Sequence, residues 1–252
     1  MAIEDGIPEE PSVRADRRPV PWTGRDTLLA FVTGFFTAIG FVALAVVAAA
    51  GSQPQDGVDF TTPGWGALLT MGLYASLGAS VWFFALRRHR APWTAIGLRP
   101  ATRIQLLAMI PLGIAVLIAN LILVWLLARF LTDVGTAQQD AFAPGGTMTT
   151  RHYLILLVTV AGVAPVAEEL LFRGMLYGYL RSRFRVLAAA GISSLVFAAA
   201  HLLPTLIPPL FFVGVVLALV VERTCSLYPA MLLHSVNNGL ALTAIYLASG
   251  RA

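Results

Sequence analysis

The chain has 252 residues, of which 58% are hydrophobic and only 12% are charged. Its mean hydropathy is +0.78, and a soluble globular domain carries about twice this share of charged residues. These values exclude an ordinary soluble domain and indicate an integral membrane protein. The net charge of +4 comes from arginines in short segments between apolar runs, a pattern that sets topology and does not indicate a nucleic-acid partner. The single cysteine, Cys225, excludes an intrachain disulfide.

The N-terminal residues 1–26 are rich in proline, arginine and acidic residues and offer little apolar surface to bury. We predict a disordered or surface-lying cytoplasmic tail there. The apolar run over 27–50 is too long and begins too late for a secretory signal, so we interpret it as an uncleaved first span. Residues 27–252 are then expected to form a single transmembrane helical domain.

Seven apolar runs have near-spanning length, against the roughly 20 residues that a helix needs to cross the hydrocarbon core. The predicted fold is all-α, a polytopic integral membrane protein with about seven transmembrane helices, within a range of roughly six to eight. Arginines before the first run and after the second, fourth and sixth runs, the last being Arg223 alone, predict that the N terminus is cytoplasmic and that the protein lies in the cell membrane. The runs cover residues 27–50, 64–86, 104–131, 153–180, 186–203, 206–221 and 228–248.

Charged groups are distributed unevenly among these spans. The first three spans are predicted to be lipid-facing scaffold, whereas the fourth contains Glu168, Glu169 and Arg173. Charge at bilayer depth costs a few kcal/mol per residue, so such groups pair, face a cavity or do chemistry. On a helix, Glu169 and Arg173 share a face and are predicted to form a buried ion pair, while Glu168 points about 100° away. Glu168 is therefore the candidate general base or acid.

Two later spans add polar side chains at helical spacing. Phe197 and His201 share a face near the end of the fifth span, and His234 and Asn238 share one in the seventh. Any of these polar groups alone could serve as a hydrogen bond between helices. Together with Glu168, two imidazoles and a carboxamide supply a base, a proton carrier and oxyanion donors. Water-mediated hydrolysis of an amide requires these groups.

Three short segments carry a family resemblance: EELLFR at 168–173, FAAAH at 197–201 and HSVNN at 234–238. In order and spacing they resemble the EExxxR, FxxxH and HxxxN motifs of the CPBP family of intramembrane endopeptidases. That family includes the CAAX prenyl proteases of the Rce1 type and bacterial proteins of the ABI kind. The resemblance covers about residues 150–245 and implies a glutamate-dependent membrane-embedded endopeptidase.

The resemblance also implies residue roles. Glu168 would activate a water for attack on the scissile carbonyl, and His201 would help to position or deprotonate that water. His234 and Asn238 would stabilise the oxyanion. The implied partner is a peptide or protein substrate in or at the bilayer, either membrane-associated or prenylated at a CAAX end, and no cofactor is implied. The supporting residues would be Glu169, Arg173 and Phe197.

Two alternative interpretations use the same side chains differently. Glu168, His201 and His234 could instead hold zinc or another divalent ion in a metal-dependent protease, because two histidines and a carboxylate suit such a site. The chain could also be a noncatalytic membrane scaffold or a proton-coupled transporter, since buried glutamates and histidines serve as proton relays.

The expected depths of the two histidines do not match on upright helices. His201 would lie about 22 Å from the cytoplasmic end of its span, and His234 only about 9 Å from that end of its own. A tilted or broken helix would bring them together. The candidate break points are Pro165, Pro204, Pro208 and Pro209.

Overall fold

The computed structural model describes residues 19–52, 63–130, 139 and 142–250, which form a bundle of helices. Six of these helices are long and apolar enough to cross a membrane, and another apolar helix is shorter. The prediction of an all-α polytopic membrane protein is confirmed. The helices are α1 (Gly24–Ser52), α2 (Pro63–Val81), α3 (Arg103–Leu127), α4 (Thr150–Arg181), α5 (Val186–Ala199), α6 (Ile207–Thr224) and α7 (Leu227–Ala248).

Side-chain caps set two of the helix starts. The Thr102 side chain accepts from the backbone N–H of Gln105, and the Gln105 side chain accepts from that of Thr102, so α3 begins with a capping box. Ser226 caps α7 by accepting from the backbone N–H of Tyr228. The same Ser226 hydroxyl donates to the carbonyl of Arg99 at 2.6 Å, which ties the α6–α7 turn to the segment before α3.

Helix α4 widens from α-helical to π-helical winding in two places. Its central α-helical segment, Ala164–Glu169, lies between two π-helical segments, Leu157–Val163 and Leu170–Tyr177. The predicted break at Pro165 is wrong, because the helix continues from one segment into the next. The wider π turns before Pro165 accommodate the proline ring and its missing N–H. These turns also re-aim the side chains that follow, a common feature of functional sites.

Helix α5 is shorter than predicted. The span expected over 186–203 ends at Ala199 after 14 residues. Leu203 is extended, with φ −115° and ψ 94°, because the residue before a proline, here Pro204, is disfavoured in the helical region. Of the proposed break points, Pro204 therefore does lie at an interruption of the helix. The remaining two lie in the first turn of α6, where proline is tolerated: Pro208 and Pro209.

The end of the N-terminal segment is packed. Residues 1–18 lie outside the described residues, but residues 19–26 do not form the surface-lying tail that was predicted. Trp22 is only 2% exposed, and its indole N–H donates to the carbonyl of Met175 at 3.1 Å. The prediction failed there because one large aromatic ring supplies enough apolar surface to dock the segment against α4.

A buried ion pair joins the end of α4 to α6. Arg181, 2% exposed, places Nη2 at 3.2 Å from Oε1 of Glu222. Tyr177 donates its hydroxyl to Oε2 of the same carboxylate at 2.8 Å. Arg181 was interpreted from the sequence as one of the arginines that set topology, yet it serves here as a link between helices.

The aromatic core holds α4 against its neighbours. The ring of Phe172 packs edge-on against Phe31 from α1, with centroids 5.4 Å apart, and against Phe197 from α5 at 5.1 Å. Gly214 permits close approach of α6 to α5, since a Cβ there would lie 2.8 Å from the Ser194 Cβ. These contacts bring α4, α5 and α6 together around one point in the bundle.

Candidate active site

Two adjacent carboxylates lie at the middle of α4. Glu168 is 8% exposed and Glu169 is fully buried. Because successive residues of a helix point about 100° apart, the two side chains meet different neighbours. Glu168 and Glu169 therefore have different partners and are expected to have different functions.

Glu169 is the carboxylate of an internal ion pair. Arg173 Nη1 donates to Glu169 Oε1 at 2.9 Å, and both side chains are at most 1% exposed. The predicted pairing of these two residues is confirmed. Arg173 is further fixed by donation to the Gly214 carbonyl at 3.2 Å and by the Phe197 ring, whose centroid lies 4.2 Å from Cζ. Residues from three helices thus hold one guanidinium.

His234 connects the two carboxylates. Its Nδ1 lies 3.0 Å from Glu169 Oε1, and its Nε2 lies 3.7 Å from Glu168 Oε2. An ionised carboxylate only accepts hydrogen bonds, so Nδ1 carries the proton toward Glu169. Nε2 is then an acceptor in the neutral ring and a second donor in the imidazolium. The predicted site residues Glu168 and His234 are therefore neighbours, with Glu169 orienting the ring.

His201 lies in the turn that follows α5, one helical turn beyond Phe197. Its Nδ1 lies 2.8 Å from the carbonyl of Phe197, which leaves Nε2 directed away from that bond. The Phe197 ring packs edge-on against both histidines, with centroids 4.9 Å from His201 and 5.8 Å from His234. Phe197 therefore serves as the spacer between the two imidazoles.

Asn238 lies one turn beyond His234 on α7. Its Nδ2 donates to the carbonyl of Val160 at 3.2 Å, in the first π segment of α4. Its Oδ1 accepts from Asn237 Nδ2 at 3.4 Å. The carboxamide plane of Asn238 is therefore fixed from two sides, with one N–H of its NH₂ group not used by the Val160 bond.

Within the described residues, two oxygens near these groups are buried without a hydrogen-bond partner: Glu169 Oε2 and Asn237 Oδ1. Buried polar atoms are normally satisfied, so each such exception calls for an explanation. Two carboxylates from α4, with an imidazole and two amides from α7, make a polar interior that suits a small polar reactant.

Residues 150–240 match a family model described as type II CAAX prenyl endopeptidase, Rce1-like. This segment is similar to that family, and we call it the Rce1-like segment. The match confirms the resemblance carried by the three motifs, all of which lie inside it. It supports a membrane endopeptidase of the CAAX type with a peptide or protein substrate at the membrane. Searches of curated proteins and of solved structures gave no match.

Tyr74, outside the Rce1-like segment, is a site residue that sequence reasoning missed. From α2 its hydroxyl donates to Glu168 Oε1 at 3.2 Å. The interpretation of the first three spans as scaffold alone is therefore wrong for α2. The available signal was a hydroxyl-bearing aromatic in an otherwise apolar span, MGLYASL at 71–77, but nothing local to α2 indicates its partner 94 residues away.

An apolar groove of about 640 Å³ lies between α2 and the first half of α4. Met71, on its α2 side, is one helical turn before Tyr74. Arg151 is the charged residue of its lining. The groove therefore lies along the same pair of helices that supplies Tyr74 and Glu168. Its other lining residues are Leu154, Ile155, Val158 and Thr159.

The zinc interpretation requires Glu168, His201 and His234 to lie together as ligands of one metal ion. In the described part of the chain, no three His, Cys, Asp or Glu side chains form a group that could hold a metal ion. The contacts of His234 instead run to two separate carboxylates on α4.

Proposed function

We propose that this protein is a glutamate-dependent intramembrane endopeptidase in which Glu168 is the general base. One observation carries the proposal. Glu168 Oε2 lies 3.7 Å from an imidazole nitrogen of His234, while the neighbouring Glu169 is engaged by Arg173 and by His234. Of the two carboxylates, Glu168 is also the one with solvent exposure, 8% against 0% for Glu169, so a water can reach its Oε2.

In the proposed reaction, a water between Glu168 and His201 attacks the scissile carbonyl carbon. Its oxygen forms the new C–O bond while Glu168 takes one proton, and the carbonyl π electrons move to the oxygen. Collapse of the tetrahedral intermediate breaks the C–N bond. The proton held by Glu168 passes to the departing amine, and His201, through Nε2, helps to orient the water. Atoms and charge then balance, with a carboxylic acid and an amine as products, and the acid afterwards loses its proton to solvent.

His234 and Asn238 are proposed to stabilise the oxyanion. In its imidazolium form His234 donates through Nδ1 to Glu169 and has Nε2–H left for the developing charge. Asn238 contributes the N–H that its Val160 bond does not use. The buried pair of Glu169 and Arg173 holds His234 in this orientation, so its role is to position the ring.

The substrate is proposed to be a membrane-associated peptide, including one with a prenylated CAAX end. Two features support this. The family model matched by the Rce1-like segment is described by that substrate class, and the groove beside α2 is apolar apart from Arg151 and Thr159. A cytoplasmic N terminus and location in the cell membrane stay predictions.

The proposed reaction uses no metal ion, and the zinc alternative predicts a different response to chelators. If zinc held by Glu168, His201 and His234 were required, purified active protein would contain one equivalent of it and would lose activity with 1,10-phenanthroline. We expect activity to persist. The transporter alternative predicts proton flux in liposomes and no cleavage products.

The test uses an internally quenched peptide with a C-terminal CAAX sequence, farnesylated and unmodified, in detergent micelles. Glu168→Gln preserves shape and removes the base, so we expect kcat/KM to fall by about 10²- to 10⁴-fold. Glu222→Gln is the matched control, because it changes a partly buried carboxylate of α6 outside the site. Folded Glu222→Gln protein should retain most of the activity.

Undiminished cleavage by Glu168→Gln would refute the glutamate mechanism. Absence of cleavage of both peptides by the unaltered protein would count against this substrate class. Equal cleavage of the farnesylated and unmodified peptides would retain the endopeptidase and remove the prenyl requirement.

A further inference from the structure

We infer that Tyr74 is a positioning residue for the proposed base, an inference that rests on the proposed function. Tyr74 lies outside the matched segment 150–240, and its contact with Glu168 joins two helices that are far apart in sequence. The hydroxyl donates to Oε1 at 3.2 Å, while the other oxygen, Oε2, is the one nearest His234. Each carboxylate oxygen therefore has its own neighbour.

This division of contacts orients the carboxylate. With Oε1 held by Tyr74, rotation about the terminal torsion of Glu168 is restricted, and Oε2 stays on the side of His234. A terminal sp³–sp² torsion is otherwise broad and soft. A general base has to lie within hydrogen-bond reach of the proton that it takes, so a fixed orientation raises the fraction of productive encounters.

The hydroxyl also supplies the buried carboxylate with a hydrogen bond in place of water. A carboxylate with 8% exposure has few water contacts, and hydrogen bonds to a charged acceptor are stronger than those between neutral groups. Tyr74 thus gives the carboxylate both a hydrogen-bond donor and the direction that the reaction requires.

Helix α2 is a suitable support for this function. Tyr74 packs against a buried cluster to which Leu77 and Val81 of α2 contribute, together with Leu171 and Phe172 of α4. The ring is therefore held independently of its hydroxyl. Removing the hydroxyl alone should leave the packing in place, which makes Tyr74→Phe an informative variant.

The experiment compares Tyr74→Phe with Tyr153→Phe. Tyr153 is the matched control, since its hydroxyl bonds to Thr243 at 3.0 Å between α4 and α7 and does not contact Glu168. With the CAAX peptides we expect Tyr74→Phe to lower kcat by about 10- to 100-fold, the effect of losing one hydrogen bond to a charged group. KM should change little, and Tyr153→Phe should retain the kcat of the unaltered protein.

A second readout does not depend on cleavage. Dicyclohexylcarbodiimide modifies protonated carboxyl groups in apolar surroundings, and mass spectrometry of the peptide containing Glu168 measures the extent of modification. At neutral pH, folded Tyr74→Phe should be labelled more than the unaltered protein, because no hydroxyl then occupies Glu168 Oε1. Tyr153→Phe should be labelled like the unaltered protein.

The outcomes separate this inference from the proposed function. If Glu168→Gln abolishes cleavage while Tyr74→Phe keeps full kcat and unchanged labelling, the role of Tyr74 is refuted and the glutamate mechanism stands. If Glu168→Gln remains active, the proposed function fails, and increased labelling of Tyr74→Phe would support only the hydrogen bond. Equal losses of kcat in Tyr74→Phe and Tyr153→Phe would indicate a structural effect and overturn the inference.

Discussion

Helix α4 carries two buried arginines, Arg173 and Arg181, that lie about two turns apart. Each pairs with a glutamate, and each fixes α4 to other helices. At the centre of the helix the carboxylate is Glu169, with a side chain that is 0% exposed. At the end of the helix it is Glu222 of α6, with a side chain that is 17% exposed.

The two centres differ in what lies beside the ion pair. Around Glu222 the hydroxyl of Tyr177 is a further partner, and the cluster joins helices. Around Glu169 the further partner is His234, which also approaches Glu168. A buried arginine–glutamate pair is therefore no mark of an active site by itself. A second carboxylate that shares an imidazole with the pair distinguishes the central cluster.

The largest effect is expected for Arg173→Met. Removing this guanidinium leaves Glu169 ionised and buried, and breaking such a pair costs about 3–5 kcal/mol. We expect the free energy of unfolding to fall by that amount, measured by reversible denaturation in mixed micelles, with loss of cleavage activity. A stable Arg173→Met protein with normal activity would show that the central pair neither holds the fold nor orients His234.

Arg181→Met tests the other centre with the same substitution. Because the Glu222 side chain is 17% exposed, water can solvate part of the charge that loses its partner. We expect a smaller loss in the free energy of unfolding, about 1–3 kcal/mol. Folded Arg181→Met protein should cleave the CAAX peptides at the rate of the unaltered protein. A selective loss of kcat would contradict the assignment of this pair as structural.

The smallest effect is expected for Tyr177→Phe. The ring remains while one hydrogen bond to Glu222 is removed, which costs about 1 kcal/mol. Thermal unfolding should show a small decrease in the midpoint, and activity should be unchanged. If Tyr177→Phe lost more stability than Arg181→Met, the hydroxyl of Tyr177 would matter more to this cluster than the ion pair, contrary to this prediction.

Much of this architecture could be predicted from the sequence, since apolar runs define helices and i, i+4 spacing paired Glu169 with Arg173. The remaining features depend on contacts between distant segments. Tyr74 meets Glu168 through helix packing, and Trp22 docks on Met175 because of the shape of the bundle. The early end of α5 could not be predicted, because the apolar residues continue through Leu202 and Leu203 into the turn. Hydropathy reports burial in lipid and does not distinguish helix from turn.

The length of α5 has a consequence for the bilayer. Its 14 residues span about 21 Å along the helix axis, whereas the hydrocarbon core is about 30 Å thick. Where α5 ends, the surrounding lipid has to thin, or polar solvent has to reach inward, over a depth of about 9 Å. His201 lies in the turn at that end. The hydrophobic mismatch of one short helix would thus hydrate the site from one side of the membrane, without a pore through the protein.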